Sequence, residues 1–231
     1  MTRFLRHETI LAVLAVIVLG ILAYQSDRFF TVDNLLNQGR LMTEVGLVAI
    51  LMTFVIATGG IDLSVGSIIG LTAILTGVFW QSVGLPLPLA ALAAIACGTF
   101  GGFANGVIIT RFGVPPLIAT LATLALYRGL AEGISQARSV RGYPEWFYVL
   151  GQGNVLGVPT QLWLLVLTAI VAAIVLGLTR WGRTVYAIGN NEVAARFSGL
   201  PVDRAKLAIY TASGFAAAVA GVILVSRVST T

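Results

Sequence analysis

The feature that most constrains this chain is a series of apolar stretches, each close to the length of a helix that crosses a bilayer. These stretches cover residues 9–24, 41–58, 61–80, 85–110, 116–133, 161–178 and 207–225. A helix of about 20 apolar residues spans the hydrocarbon core. With 58% hydrophobic and 10% charged residues, the chain of 231 residues lacks the polar surface that a soluble domain presents to water. We therefore predict an all-α polytopic membrane helix bundle with about seven transmembrane helices.

The basic residues are concentrated in the connections between these stretches. The largest group lies within residues 179–206 and comprises Arg180, Arg183, Arg196, Arg204 and Lys206. Cytoplasmic loops carry an excess of Lys and Arg, which places this connection and the N-terminus inside and residues 135–160 outside. We expect the aromatic residues of the outer connection to lie at the headgroup level. The net charge of +5 is therefore a topology signal, and the predicted partner is the lipid bilayer and not nucleic acid.

One acidic residue, Asp62, lies in an otherwise apolar and glycine-rich segment, residues 59–66. A carboxylate at the centre of a bilayer costs about 2.5–3.5 kcal/mol, so it requires a compensating structure. Paired glycines can end one helix, and Asp62 or Ser64 can cap the next. This pattern predicts a broken or re-entrant helix that borders a polar pathway. The alternative is a tight turn at the membrane surface, where capping alone explains the acid.

Small and polar residues indicate where helices touch and where a solute could pass. Glycine recurs at four-residue intervals at Gly98, Gly102 and Gly106, and again at Gly66 and Gly70, which predicts close helix packing. The candidate residues of a substrate pathway are Asp62, Ser64, Asn105, Thr120 and Thr123. For each of these polar side chains, a hydrogen bond between helices is the alternative role.

The sequence contains no motif for nucleotide hydrolysis or metal chemistry. The only lysine, Lys206, follows Ala205, so the phosphate-binding sequence G-x-x-x-x-G-K-[ST] is absent. The only histidine, His7, precedes the first apolar stretch, and the only cysteine, Cys97, lies inside one. Histidine-based triads and Cys/His metal sites are therefore excluded from the membrane interior. We predict a transport subunit with no catalytic residues, no metal and no cofactor of its own.

The inner connection also contains a short predicted helix. Asn191 can cap it, Glu192 suits its positive first turn, and Gly199 with Pro201 can end it. Val193 and Phe197, four residues apart, would then project from one face. Such a helix can dock in the groove of a soluble partner. An amphipathic helix that rests on the bilayer is the alternative.

Three segments together resemble one known family. They are Gly60-Ile61-Asp62-Leu63-Ser64-Val65-Gly66-Ser67, the run from Pro116 to Leu124 followed by Tyr127-Arg128-Gly129, and the run from Gly189 to Gly199. They are similar to the signature segments of permease subunits of bacterial ABC importers for simple sugars, of the ribose, rhamnose and autoinducer-2 type. The resemblance covers nearly the whole chain in order. It is specific for the family and does not identify the sugar.

The resemblance implies a division of labour among several subunits. Two permease subunits, identical or different, would form the pathway in the bacterial cytoplasmic membrane. Two cytoplasmic ATPase subunits would bind ATP and Mg²⁺, and an extracytoplasmic sugar-binding protein would deliver the solute. The segment from Glu192 to Gly199 would be the coupling helix that engages the ATPase. Its candidate coupling residues are Asn191, Glu192, Ala195, Arg196, Phe197 and Gly199.

Members of the resembled family continue through further helices after the position that corresponds to Val225. This sequence stops at Thr231 and departs from the family in this respect. We therefore expect residues 1–231 to form a single transmembrane permease domain that is C-terminally incomplete or completed by a second polypeptide. Two other functions remain as alternatives. One is an ABC permease for branched-chain amino acids, and the other is a membrane channel or scaffold that requires no ATPase.

Overall fold

The computed structural model describes the chain from Thr2 to Thr231, with side chains described from Thr9 onward. The side chain of His7 therefore lies outside the described residues. The described chain is almost entirely helical. Its helices are α1 (Thr2–Gln25), α2 (Val32–Ala57), α3 (Val65–Gly77), α4 (Leu87–Arg111), α5 (Pro116–Ser135), α6 (Glu145–Gln152), α7 (Thr160–Leu178), α8 (Arg180–Asn190), α9 (Glu192–Phe197) and α10 (Val202–Val228). A π-helical turn, Val78–Ser82, continues α3, and strands β1 (Asn154–Val155) and β2 (Val158–Pro159) form one short hairpin.

Among the described residues, 6 helices are long and apolar enough to cross a membrane. They are Val32–Ala57, Val65–Ser82, Leu87–Arg111, Pro116–Ser135, Thr160–Leu178 and Val202–Val228. A shorter apolar helix covers Thr9–Gln25. The prediction of an all-α polytopic helix bundle is confirmed, and the expected first span corresponds to the shorter helix.

The chain forms two compact units. The first ends at Leu41 and contains α1 and the beginning of α2. In this unit Thr31 caps α2, because its Oγ accepts a hydrogen bond from the Asn34 N–H at 3.3 Å. The second unit, Met42–Thr231, contains the rest of α2 and all later elements. The expectation of a single permease domain over residues 1–231 remains a prediction.

In the second unit, α10 is the central helix and crosses α4 at small residues. A methyl group at Gly102 would overlap the carbonyl oxygen of Tyr210 and lie 2.7 Å from the Gly214 Cα. A methyl group at Gly98 would lie 2.7 Å from the Ala218 Cβ. The backbones of α4 and α10 can approach this closely only because both carry glycine at the crossing. The predicted packing role of the Gly98–Gly102–Gly106 stripe is confirmed.

The second glycine stripe, on α3, has no such contact. A methyl group at Gly66 or Gly70 would meet no heavy atom within 4 Å among the described residues. The four-residue spacing predicted a packing face there, and within this chain that prediction is wrong. The spacing marks one side of a helix but does not determine which side faces a neighbour.

The outer connection packs against α10. It contains α6 and the β-hairpin, and the rings of Tyr143 and Phe147 are buried against Val222 and Val225 of α10. Ser226 accepts a hydrogen bond from the N–H of Gly151 at 2.8 Å. These two rings therefore pack on the end of α10, and the expectation that the outer aromatic residues lie at the headgroup level remains a prediction.

A second acid within the spans, Glu44, has a charged partner. Its carboxylate lies 2.7 Å from the Arg227 guanidinium at the end of α10, and Glu44 is buried. Pairing removes most of the penalty for a carboxylate inside a membrane helix. Glu44 therefore joins α2 to α10, and its burial needs no further explanation.

We predict that Gly102→Ala destabilises the bundle by about 1–3 kcal/mol, because the added methyl group overlaps the backbone of α10. Thermal unfolding of the purified protein in detergent measures the effect. Gly70→Ala is the matched control, since it adds the same group to a membrane helix where space is open. Equal melting temperatures for the two variants would contradict the assigned α4–α10 contact.

Candidate functional site

The predicted helix break is present between α2 and α3. The N–H of Gly60 donates to the carbonyl of Val55 at 3.0 Å, and the N–H of Gly59 donates to the carbonyl of Ile56 at 2.9 Å. Gly59 has φ +75, the left-handed conformation that ends a helix in this pair of hydrogen bonds. The chain then runs without helical structure until Val65. The paired glycines therefore end α2 as the sequence indicated.

The carboxylate of Asp62 is only 1% exposed and accepts hydrogen bonds at both oxygens. Oδ1 accepts from the Ser64 N–H at 3.0 Å and from the Ser64 hydroxyl at 2.6 Å. Oδ2 accepts from the Ser213 hydroxyl on α10 at 3.0 Å. Ser64 stands at the cap position of α3 but its side chain makes no capping hydrogen bond, because it donates to Asp62 instead. The acid therefore orders the residues before α3 and does not cap the first turn.

Two further helices form hydrogen bonds with the residues on either side of Asp62 in the helix break. The Asn105 amide on α4 donates to the Ser64 hydroxyl at 2.7 Å. The Thr120 hydroxyl on α5 donates to the carbonyl of Ile61 at 3.3 Å and to its own helix at Pro116. We call the set Asp62, Ser64, Asn105, Thr120 and Ser213 the Asp62 junction. It connects the helix break to α4, α5 and α10.

The structure thus brings together four of the five predicted pathway residues. Thr123 is buried nearby on α5, but its hydroxyl donates to carbonyls of its own helix, at Ala119 and Thr120. Ser213 was not predicted, because a single serine on an apolar helix carries no local signal. Its hydrogen bond to Asp62 exists only in the folded chain, where α10 packs against the helix break.

The Asp62 junction lies inside the bundle and not at its rim. Asn105 and Ser213 are roughly 9 Å and 16 Å from the nearest ends of α4 and α10, at about 1.5 Å of rise per residue. All five side chains of the junction are buried. This depth favours the broken-helix interpretation over a turn at the membrane surface.

The surroundings of the junction contain unused hydrogen-bonding capacity. The Asn105 Oδ1 atom and the Tyr210 hydroxyl are buried and have no hydrogen-bond partner among the described residues. None of the ion pairs among those residues includes Asp62. Buried polar atoms without partners destabilise a fold unless water or a ligand satisfies them. These two atoms therefore leave hydrogen-bonding positions unused beside the junction.

The inner connection forms a helical hairpin, α8 and α9. The Asn191 side chain caps α9 by accepting from the Ala194 N–H at 2.9 Å, and Gly199 follows α9 with φ +78. The predicted short helix, its cap and its stop are confirmed. The preceding helix α8 was not predicted. It is capped by Thr179, whose hydroxyl accepts from the Gly182 N–H at 3.3 Å.

Most of the predicted coupling residues hold α9 in place. Ala195 is buried against Ile188 of α8 and against Val202 and Ala205 of α10. Arg196 donates to both carboxylate oxygens of Asp203, at 2.8 and 2.7 Å. This bidentate hydrogen bonding raises the pKa of the Arg196 guanidinium, which stays protonated.

Glu192 completes the attachment of α9. Its carboxylate forms ion pairs with Lys206 on α10 and, at 3.5 Å, with Arg196. Together with Arg196–Asp203, these pairs connect the short helix to the first two turns of α10. The charged residues of α9 are therefore used within the chain.

One apolar face of α9 points away from the chain. The Phe197 side chain is 89% exposed and that of Val193 is 63% exposed. Both lie on one face of the helix, four residues apart, as the sequence indicated. We call these two side chains the α9 knob. A rigidly attached helix with an exposed aromatic residue is typical of a docking surface.

Comparison with known proteins connects these features to transport. Residues 34–231 match the family model described as "Branched-chain amino acid transport system / permease component". The ribose import permease protein of Haemophilus influenzae is 37% identical over 218 residues, which are 93% of this chain and 67% of that protein. The autoinducer 2 import system permease protein of Yersinia enterocolitica is 36% identical over 225 residues, 95% of this chain and 68% of that protein.

The L-arabinose transport system permease protein of Escherichia coli is 37% identical over 201 residues, 87% of this chain and 61% of that protein. No solved structure matches the chain significantly. The resemblance to permease subunits of sugar ABC importers is confirmed, as is a multi-pass location in the membrane. The chain belongs to the branched-chain amino acid transport system / permease component family of membrane transport subunits.

Proposed function

We propose that this chain is the transmembrane permease subunit of an ABC importer that moves a monosaccharide or a similar small polar solute across the bacterial cytoplasmic membrane. The observation that carries the proposal is the α9 knob, an apolar docking surface on a chain of the permease family. The chain has no P-loop of its own. A subunit that binds no ATP through that motif but presents a docking helix is suited to receive work from an ATPase.

The partners follow from this division of labour. A cytoplasmic ATPase subunit binds ATP and Mg²⁺ and holds the α9 knob in a groove. A second permease subunit completes the pathway, and an extracytoplasmic binding protein delivers the solute. The ion pairs of Glu192 and Arg196 keep α9 attached to α10, so that a force applied at Phe197 moves the hairpin as a body.

The solute pathway in this proposal passes the Asp62 junction. Sugars carry many hydroxyl groups, each of which donates and accepts hydrogen bonds. The free acceptor at Asn105 Oδ1 and the Tyr210 hydroxyl are suited to such groups. Asp62, Ser64 and Thr120 hold the surrounding helices together, and Thr123 lies beside them on α5.

Transport proceeds by alternating access. ATP binding draws the ATPase subunits together, the α8–α9 hairpins follow, and the helices tilt so that the cavity opens to the other side. A ligand shifts such an equilibrium only through its different affinity for the two states. The solute-loaded binding protein therefore favours one of them.

A branched-chain amino acid permease is the second candidate, since the family model carries that description. The compared relatives are named for ribose, autoinducer 2 and L-arabinose, which favours a sugar or a similar polar solute. ATPase assays on the reconstituted complex, with sugars and amino acids presented in parallel by the binding protein, separate the two. Stimulation by leucine or isoleucine alone would select the amino acid.

We predict that Phe197→Asp abolishes solute-stimulated ATP hydrolysis in the reconstituted complex, because a carboxylate replaces the apolar side chain in the ATPase groove. Membrane insertion remains normal, since Phe197 is exposed in this chain. Phe197→Leu keeps an apolar knob and retains most of the stimulation. Phe112→Asp is a matched control, because it places the same charge at another exposed phenylalanine, next to the end of α4. Unchanged stimulation in Phe197→Asp would remove the coupling assignment.

We predict that Asp62→Leu abolishes uptake. Leucine removes both carboxylate oxygens of Asp62 and leaves the hydroxyls of Ser64 and Ser213 without that partner, at about 1–3 kcal/mol for each buried group. Uptake of radiolabelled solute, normalised to the amount of permease in the membrane, measures the effect. Thr99→Val on α4 is the control, because the Thr99 hydroxyl donates to the carbonyl of Ile95 in its own helix. Normal uptake by Asp62→Leu would show that the junction is dispensable.

A further inference from the structure

We propose that Gly189 is a positioning residue that transmits movement of the α9 knob to the Asp62 junction through direct backbone contact with the end of α2. The inference deepens the proposed function and rests on it. By this contact, work delivered at the cytoplasmic surface reaches the helix break inside the bundle.

The contact itself is unusually close. A methyl group at Gly189 would overlap the carbonyl oxygen of Ala57 and would lie 3.7 Å from the Cα of Thr58. Only glycine allows the backbone of α8 to lie against the last turn of α2 at this distance. No flexible side chain separates the two backbones, so a displacement of α8 here is passed directly to α2.

On the cytoplasmic side of the proposed arrangement, α8 and α9 are joined directly and pack against each other. Asn191 ends α8, with its N–H donating to the carbonyl of Ala187 at 3.1 Å, and the same residue caps α9. Ala195 of α9 packs against Ile188 of α8. A force on the α9 knob therefore moves α8, and the close packing of the interior limits how much of the movement is absorbed.

On the membrane side, α8 contributes one residue to a core cluster that it shares with several spans. Val185, one turn before Gly189, is fully buried in a cluster with Phe54 and Val55 of α2, Ile109 of α4, Ala119 of α5, and Ile209 and Tyr210 of α10. Beside this cluster, Gly189 contacts Ala57, the last residue of α2. The hairpin thus rests on the same helices that meet at the Asp62 junction.

The last step runs from Ala57 to Asp62 along a segment that is fixed at several points. A methyl group at Gly60 would lie 2.5 Å from the Tyr210 hydroxyl and 3.2 Å from Val55, so this part of the segment is closely packed. Asp62 and Ser64 then bond to α10 and α4. A shift of the α2 end changes the strain on these hydrogen bonds, and they are the element that can open and close during the cycle.

The test uses the complete complex with its ATPase and binding protein. Gly189→Ala is compared with Gly177→Ala, which places the same methyl group at the penultimate residue of α7, where no other part of the described chain beyond the same helix turn lies within 4 Å. We expect Gly189→Ala to retain the ATPase during purification but to lower uptake per ATP hydrolysed by roughly twofold to thirtyfold, the range of mutational effects on coupling between sites. Gly177→Ala leaves both values unchanged.

A reporter at the helix break separates transmission from a general loss of structure. Ile61→Cys, in a Cys97→Ser background, introduces a half-exposed thiol next to Asp62. Its labelling rate is expected to change when ATP is added, to lose that change in Gly189→Ala, and to keep it in Gly177→Ala. If Gly189→Ala does not accumulate, Val185→Ala loosens the neighbouring packing of α8 in the cluster that contains Phe54 and Val55 of α2, without a clash, and is expected to reduce the change.

Two outcomes overturn the inference. In one, Gly189→Ala, or Val185→Ala where it replaces that variant, transports normally and keeps the ATP-dependent labelling change. In the other, the variant loses the ATPase, so that the contact serves docking only. Failure of the proposed function is distinguishable, because the unmodified complex would then show no ATPase partner and no solute-stimulated hydrolysis.

Discussion

The buried carboxylate of Asp62 is the interaction on which the arrangement of the bundle depends. A charge at this depth is tolerated only when polar groups surround it, and here the groups come from the chain itself. The donors are Ser64 at the helix break and Ser213 on α10, and Asn105 on α4 continues the chain of hydrogen bonds. The carboxylate therefore fixes the position of the break relative to two long helices. Those helices can reach it because glycines at their crossing let the backbones approach.

The cytoplasmic hairpin divides its residues between two tasks. Glu192, Ala195 and Arg196 face the chain and attach α9 to α8 and α10 through packing and ion pairs. Phe197 and Val193 face outward and leave an apolar surface open. The residues that attach α9 are therefore separate from those that form its exposed surface. The contact of Gly189 with the end of α2 then places the hairpin next to the break that carries Asp62.

Local signals were sufficient to predict the elements but not their partners. The cap at Asn191, the stop at Gly199 and the glycine end of α2 depend on a few neighbouring residues, so the sequence revealed them. Helix α8 is short and amphipathic, so it does not stand out as a continuous apolar stretch of spanning length, although Trp181, Val185 and Ile188 have helical spacing. Ser213 and the open face of Gly66 and Gly70 depend on which helices pack together, and spacing alone carries no such information. The depth of Asp62 likewise depends on how α4, α5 and α10 pack around it, which the local sequence does not specify.

The central claim is that the α9 knob faces the cytoplasm, where an ATPase can bind it. The most direct measurement is the labelling of Val193→Cys, in a Cys97→Ser background, with a membrane-impermeant maleimide. Val193 is exposed, so its thiol is accessible on whichever side α9 lies. The account predicts labelling in inside-out vesicles that is blocked when the ATPase is bound, and no labelling in intact cells. Rapid labelling in cells with an intact cytoplasmic membrane would place α9 outside and contradict the account.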